Sequence, residues 1–309
     1  MVLDYYELKE QPFGVTPDPR YNYPSPTHRE ALASLVYGVN TGRGFMALIA
    51  RPGMGKTTLL FQLLRQLEGT AKTVFLFQTL CSPRDFLWGL LADLGIKCRS
   101  ENIVEMNWEL NRFVLRESRA GRRLVIAIDE AQNLDSAVLE VVRMLSNFET
   151  PREKLVQIIL AGQPQLAEKL ASPYLVQLRQ RISLLARLEQ LTLEQTRQYI
   201  DHRLQVAGYS SQTPIFGEQA LALIAKHSEG IPRNINNLCF NSLSLGCALK
   251  QRTIDQEVIQ EVLADTELTS LTGNGNGAQA EEAGSGRMTP LSLAKTSARQ
   301  YTWGARFAV

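Results

Sequence analysis

Residues Ala50-Arg51-Pro52-Gly53-Met54-Gly55-Lys56-Thr57-Thr58 follow the apolar run Phe45-Met46-Ala47-Leu48-Ile49 and lead into Leu59-Leu60-Phe61-Gln62-Leu63-Leu64. Strand, glycine-bearing loop and helix in that order are the context of a nucleotide-phosphate loop. Glycines let backbone N–H groups turn inward onto phosphate oxygens. The first turn of the new helix adds unpaired N–H groups and a partial positive charge. In this reading Arg51, Pro52, Gly53, Met54, Gly55 and Thr58 form the cradle. Lys56 reaches the β- and γ-phosphates, and the Thr57 hydroxyl ligates Mg²⁺. Ala50 stands where the usual pattern has its first glycine and is small enough to be tolerated there.

The stretch after the loop repeats the alternation of strand and helix. Strands are expected at 45–50, 73–79, 124–128, 155–161 and 182–188. Helices are expected at 28–39, 55–67, 85–94, 103–118, 136–148 and 164–170. The run at 124–128 is apolar throughout, as in a strand buried on both faces. Alternation of this kind predicts a parallel sheet covered by helices. Strands then cease, and 192–206, 216–227, 232–249 and 255–263 carry helical patterns, with Thr192 and Gln195 placed as a capping box. Ahead of the sheet, Pro12, Pro17, Pro19, Pro24 and Pro26 forbid a long helix, and Tyr5, Phe13, Tyr21 and Tyr23 can anchor an arm. The predicted organisation is an arm at 1–27 packed on the core, an α/β domain at 28–188, a helical lid at 189–268 and a flexible tail at 269–309. Glycine-rich segments such as Gly273-Asn274-Gly275-Asn276-Gly277 cannot repay their ordering entropy. The aromatic end, Tyr301 to Phe307, is either a docking peptide or an unselected terminus.

Leu124-Val125-Ile126-Ala127-Ile128 ends in Asp129-Glu130. Two acids at the carboxyl end of a parallel strand lie where ligands gather in such sheets. Asp129 is placed to hold Mg²⁺, and Glu130 to polarise an attacking water. A later strand ends at Gln163, which either positions water near the γ-phosphate or simply begins a loop before Pro164. Arg179 and Arg181 precede the last strand. Either can serve a neighbouring subunit's γ-phosphate, and Arg181 is favoured. Arg233 sits in the first turn of a helix after Gly230-Ile231-Pro232. A cation is unfavourable there, so a counter-anion is expected, from ATP phosphate or from an acidic neighbour.

Together these pieces resemble an AAA+ ATPase, a P-loop NTPase with a five-stranded parallel sheet and a small all-α lid. The match is closer to the general secretion pathway protein A (ExeA-like) family. Its leader is similar to Tyr6-Glu7-Leu8-Lys9-Glu10-Gln11-Pro12-Phe13 with Thr16-Pro17-Asp18-Pro19. His28-Arg29-Glu30-Ala31-Leu32, Gly162-Gln163-Pro164-Gln165-Leu166 and Tyr199-Ile200-Asp201-His202-Arg203-Leu204 also fit. The resemblance implies ATP held between core and lid with the leader near the adenine, and ring or filament assembly with shared sites. It assigns Lys56, Thr57 and Asp129 to nucleotide and Mg²⁺, Glu130 as catalytic acid, Arg181 in trans and Arg233 as lid sensor. Secretion-type members continue into a membrane helix and a peptidoglycan-binding domain; this sequence departs from them there, and a short form is expected. An ATPase that regulates or remodels a protein partner is the expected function. The alternatives are an ATP-switched, DNA-binding adaptor of the transposition type and a secretion, pilus or exopolysaccharide assembly ATPase. For duplex DNA the candidate surface is Arg112, Arg116, Arg119, Arg122 and Arg123, although such a run is also an ordinary solvated face.

Composition narrows this little. The chain of 309 residues has net charge +2, too mild to argue for or against nucleic acid. Cys81, Cys98, Cys239 and Cys247 form no Cys-x-x-Cys pair, so no zinc pattern is present. The N-terminus lacks a signal-peptide pattern, and no apolar run approaches the roughly 20 residues of a membrane helix. A cytoplasmic location is expected.

Overall fold

The computed structural model describes residues 2–14, 18–77, 81–98 and 100–273. Five parallel strands, β1 (Phe45–Ile49), β2 (Ala71–Leu76), β3 (Arg123–Ile128), β4 (Val156–Gly162) and β5 (Ile182–Arg187), form one sheet in the order β2-β3-β4-β1-β5. Twelve helices accompany them among the described residues. They are α1 (Val2–Tyr5), α2 (Pro26–Asn40), α3 (Lys56–Gln66), α4 (Pro83–Asp93), α5 (Ile103–Arg119), α6 (Ser136–Leu145), α7 (Pro164–Ala171), α8 (Val176–Arg179), α9 (Leu193–Val206), α10 (Glu218–His227), α11 (Pro232–Ala248) and α12 (Gln256–Gly273).

Every residue of β1 and β4 is buried, as their mostly apolar sequences require; the one polar member, Gln157, accepts from the Gly44 N–H and donates to the Lys154 carbonyl. One sheet face is closed by α4, α5 and α6, through residues such as Leu87, Leu110 and Val142. The other is closed by α2 and α3, through Leu35, Leu60 and Leu63. Each such side chain contributes about 1.5–3 kcal/mol on burial. The consecutive strands β1 and β2 are separated in the sheet by β3 and β4. That crossover opens a crevice beyond the carboxyl ends of the strands. The ends of β3, β4 and β1 lie side by side there, with Ile128 opposite Leu160 and Gly162 opposite Ile49.

The strand expected at 73–79 runs from Ala71 to Leu76, and residues 78–80 lie outside the described set. Pairing of Ala71 with Arg123 and Leu76 with Ile128 sets these limits, and an edge position tolerates Lys72 and Thr73. The helix expected to reach 148 stops at Leu145, where the Ser146 hydroxyl donates to the Arg143 carbonyl at 2.6 Å. The last helix extends to Gly273 rather than 263. The glycine-rich stretch after Gly273 and the aromatic end lie outside the described residues.

Helices α9 to α12 build a second cluster around Tyr199, Ile200, Ile224, Cys239 and Ile259. The Thr192–Gln195 capping box is present at the start of α9. The N-terminal arm anchors its aromatics on this helical cluster. Tyr6, Leu8, Phe13 and Tyr21 are buried in the helical cluster, with Tyr5 and Tyr23 packed against it. The Tyr6 hydroxyl donates to the Gln251 carbonyl at 3.0 Å, and Phe13 meets Phe216 edge to face. Both sheet faces already have helices over them, whereas α9 to α12 leave an apolar face that these rings complete.

Candidate active site

The crevice holds a cavity of about 470 Å³, lined on one side by Pro52 to Thr58 with Glu130 and Gln163. Tyr21, Asn22 and Tyr23 of the arm and Tyr199, Arg203, Arg233 and Asn236 of the helical domain line the other side. Gly53 and Gly55 have φ of +80° and +90°, the left-handed region open to glycine. The turn they make delivers the chain into α3 with Lys56 as its first residue. The Lys56 side chain is 5% exposed, and its ammonium donates to the Ala50 carbonyl at 3.3 Å. Burial pulls its pKa below the ordinary value, against the opposing pull of Glu130 and Asp129. A buried ammonium beside open cavity is set to receive an anion.

The Thr57 hydroxyl donates to Asp129 Oδ2 at 2.5 Å. Phosphate loop and strand β3 thus meet through a hydroxyl and a carboxylate 72 residues apart in sequence. Glu130 follows with φ of +50°, uncommon for a non-glycine residue and typical of strained functional positions. Its N–H donates to Asp129 Oδ1 at 2.9 Å. Glu130 Oε2 accepts from the amides of Gln132 at 2.6 Å and Gln163 at 3.0 Å, while Oε1 lies 4.0 Å from Lys56. Burial alone would raise this carboxyl. The two amides and the charges of Lys56 and Arg233 outweigh it and hold the pKa below the ordinary value.

The helical domain closes directly on the loop. The Arg233 backbone N–H donates to the Gly53 carbonyl at 3.3 Å. The Arg233 side chain lines the same cavity as Glu130, and its charge helps to hold that carboxyl ionised. A Cβ at Gly53 would meet Arg233 Cβ at 2.7 Å and Ile231 Cγ2 at 3.2 Å. Gly53→Ala should cost about 2 kcal/mol or more through left-handed strain and overpacking. A lowered melting temperature together with weakened nucleotide binding would confirm the close packing.

Arg51 turns away from the cavity and pairs with Glu229 of the helical domain at 2.7 Å. Arg181 is also absent from the cavity lining. Its guanidinium donates to Ser146 Oγ at 2.6 Å, Asn147 Oδ1 at 2.5 Å and the Arg143 carbonyl at 3.2 Å, around the end of α6. Arg179 donates to the Ala171 carbonyl at 3.4 Å. Among the candidate DNA-facing arginines, Arg112 pairs with Glu109 at 3.0 Å and Arg122 with Glu117 at 2.8 Å. Arg123 donates to the carbonyls of Val39 and Asn40.

Three residues at the site escape sequence reasoning. Gln132 binds Glu130 and accepts from the Gln163 N–H at 3.1 Å. Its position two residues after Glu130 is the only signal. Arg203 donates to the Pro12 carbonyl at 2.5 Å and the Tyr199 hydroxyl at 2.8 Å, with its guanidinium 4.7 Å from the Tyr21 ring centre. His28 reaches the phosphate loop at Met54.

A family model described as an AAA domain matches residues 39–170. General secretion pathway protein A of Aeromonas hydrophila is 38% identical over 244 residues, or 79% of this chain and 44% of the relative. The chain therefore spans less than half the length of that protein. Cdc6p from Pyrobaculum aerophilum superposes with a TM-score of 0.59 at 17% identity, over 79% of this chain and 67% of that one. The ORC2 protein of Aeropyrum pernix, solved in ADPNP–ADP complexes, gives 0.60 at 14% identity, over 88% and 75%. The RuvB Holliday junction branch migration motor of Thermotoga maritima gives 0.52 at 18% identity, over 77% and 67%. At these identities the superpositions speak for the fold alone. With the strand order and the phosphate loop already in place, the chain has the AAA+ P-loop fold with an AAA domain and is similar to general secretion pathway protein A.

Proposed function

We propose that this chain binds Mg²⁺ and ATP between its α/β and helical domains, hydrolyses the ATP, and assembles with itself to drive a partner complex. The observation that carries the proposal is the convergence of Lys56, Thr57, Glu130 and Gln163 on one cavity from three adjacent strand ends, with Asp129 behind Thr57 and hydrogen-bonded to it. The Thr57 hydroxyl and Asp129 carboxylate are hard oxygen donors, which fit Mg²⁺. No group of three or more His, Cys, Asp or Glu residues able to hold a metal ion occurs among the described residues. That suits a cation that takes its remaining ligands from phosphate and water. Thr57 and Asp129 would hold the ion, which would supply positive charge against the negative charge that develops on the terminal phosphates.

The chain's own residues supply the rest. Lys56 and the N–H groups of Gly53 to Thr58 bind and orient the phosphates. Glu130, held ionised, accepts a proton from the attacking water. Gln163 and Gln132 fix which carboxylate oxygen faces their amides. Arg233 brings a positive charge from the helical domain to the phosphates. The aromatic arm, Tyr199 and Arg203 enclose the nucleoside end.

Arg181 cannot serve its own cavity, so its proposed role is on a neighbouring copy. Arg181→Ala is expected to leave nucleotide affinity unchanged and to lower hydrolysis by about a hundredfold or more. Mixing it with Lys56→Ala chains, which keep Arg181 but lack a working site, should restore part of the rate. Absence of recovery at every mixing ratio would remove Arg181 from a shared site. The relative's name favours a secretion-type apparatus as the partner complex. The carboxylate and carbonyl partners of Arg112, Arg122 and Arg123 weaken the case for an uncompensated DNA-binding surface.

A further inference from the structure

Carbonyl oxygens are the problem groups of an anion cradle, since any that turns inward repels the phosphate. Two in this loop are held by side-chain donors: Ala50 by Lys56, and Met54 by His28. His28 comes from α2, is 8% exposed, and places Nε2 2.9 Å from the Met54 carbonyl oxygen. Its Nδ1 lies 2.7 Å from Ser25 Oγ, and Ser25 is itself 1% exposed. The carbonyl can only accept, so the proton sits on Nε2 and Nδ1 accepts from the serine hydroxyl. Burial pulls the ring's pKa below its ordinary value, against the Met54 hydrogen bond, which keeps the ring neutral in this tautomer near neutral pH.

The consequence for the loop follows from peptide geometry. The Met54 carbonyl and the Gly55 N–H belong to one planar trans peptide and point in opposite directions. Gly55 has φ of +90°. Glycine populates positive and negative φ about equally, so this peptide can flip with little local cost. A flip would turn the carbonyl toward the phosphates and the N–H away. His28 also packs against Gly55, with Nε2 3.4 Å from where a Cβ would stand.

We propose that His28 is a positioning residue of the phosphate loop: its Nε2–H locks the Met54–Gly55 peptide, which keeps the Gly55 N–H available to a phosphate oxygen. The inference rests on the nucleotide reading above. Calorimetric titrations with ADP and with adenosine test it, using the full chain, His28→Gln and His28→Leu. Glutamine offers an amide donor in place of Nε2, whereas leucine offers none at similar volume. His28→Leu should weaken ADP binding by about tenfold, the effect of one hydrogen bond, and leave adenosine binding within about twofold. His28→Gln should recover most of the ADP affinity. Equal losses for ADP and adenosine, or a glutamine variant no better than leucine, would overturn the positioning role. If the leucine variant does not fold, ring ¹⁵N shifts of the wild-type chain decide the matter. An Nε2–H tautomer supports the lock, and a bare Nε2 overturns it. A wild-type chain that takes up no ADP would overturn the nucleotide reading and this inference with it.

Discussion

Replacing Lys56 with Ala should abolish measurable nucleotide binding while leaving the chain folded. The ammonium is buried, and its close partners among the described residues are the Ala50 carbonyl at 3.3 Å and Glu130 at 4.0 Å. Burial disfavours that charge and pulls its pKa below the ordinary value. A phosphate supplies the missing counter-charge, through charge-assisted hydrogen bonds worth roughly 1.5–3 kcal/mol each. Losing two such bonds raises Kd by at least about a hundredfold. Calorimetry with ADP measures the loss, and thermal unfolding without nucleotide separates it from misfolding. Because removal relieves a desolvated cation, the melting temperature of the empty variant should hold or rise. A variant that still binds ADP tightly would show that the cavity grips nucleotide elsewhere.

Glu130→Gln should do the opposite, retaining binding and losing turnover. The substitution keeps size and the φ of +50°. The new amide oxygen can still accept from Gln132 and Gln163, so the network keeps its shape. What disappears is the proton acceptor, which costs about 10²–10⁴ in rate. Radiolabelled or fluorescent ATP should stay bound and uncleaved through a spin column. The pH profile carries a second mark. Glu130 is held below the ordinary carboxylate value, so it remains ionised on acidification past the point where a free carboxylate protonates. The acid limb it controls should therefore lie below the ordinary carboxylate range. Unchanged hydrolysis in the glutamine variant would remove Glu130 as the base.

Both effects concern residues legible in the sequence, and the reason is locality. Gly53 to Thr58 announce themselves because strand, loop and helix are consecutive. Asp129 and Glu130 do so because they end an apolar run. The capping box at Thr192 and Gln195 is equally local and forms as read. The supports of the site are not local. His28 meets Met54 across 26 positions, and Arg203 meets Pro12 across 191. Neither contact leaves a periodic or spacing signal. The arm's aromatics likewise declare that they will be buried, but not against which surface. Only the fold shows that α9 to α12, rather than the sheet, have an apolar face left to cover. Arg51 belongs to the loop in sequence, but that its side chain pairs with Glu229 of the helical domain is likewise visible only in the fold.

The central claim is that this cavity hydrolyses ATP with a site completed by a second copy of the chain. The most direct test is phosphate release from ATP by the wild-type protein over a range of protein concentrations, with magnesium and with EDTA. The account predicts magnesium-dependent release whose rate per chain climbs with protein concentration as copies assemble. No release at any concentration with magnesium present, or a rate per chain that ignores both concentration and EDTA, would contradict it.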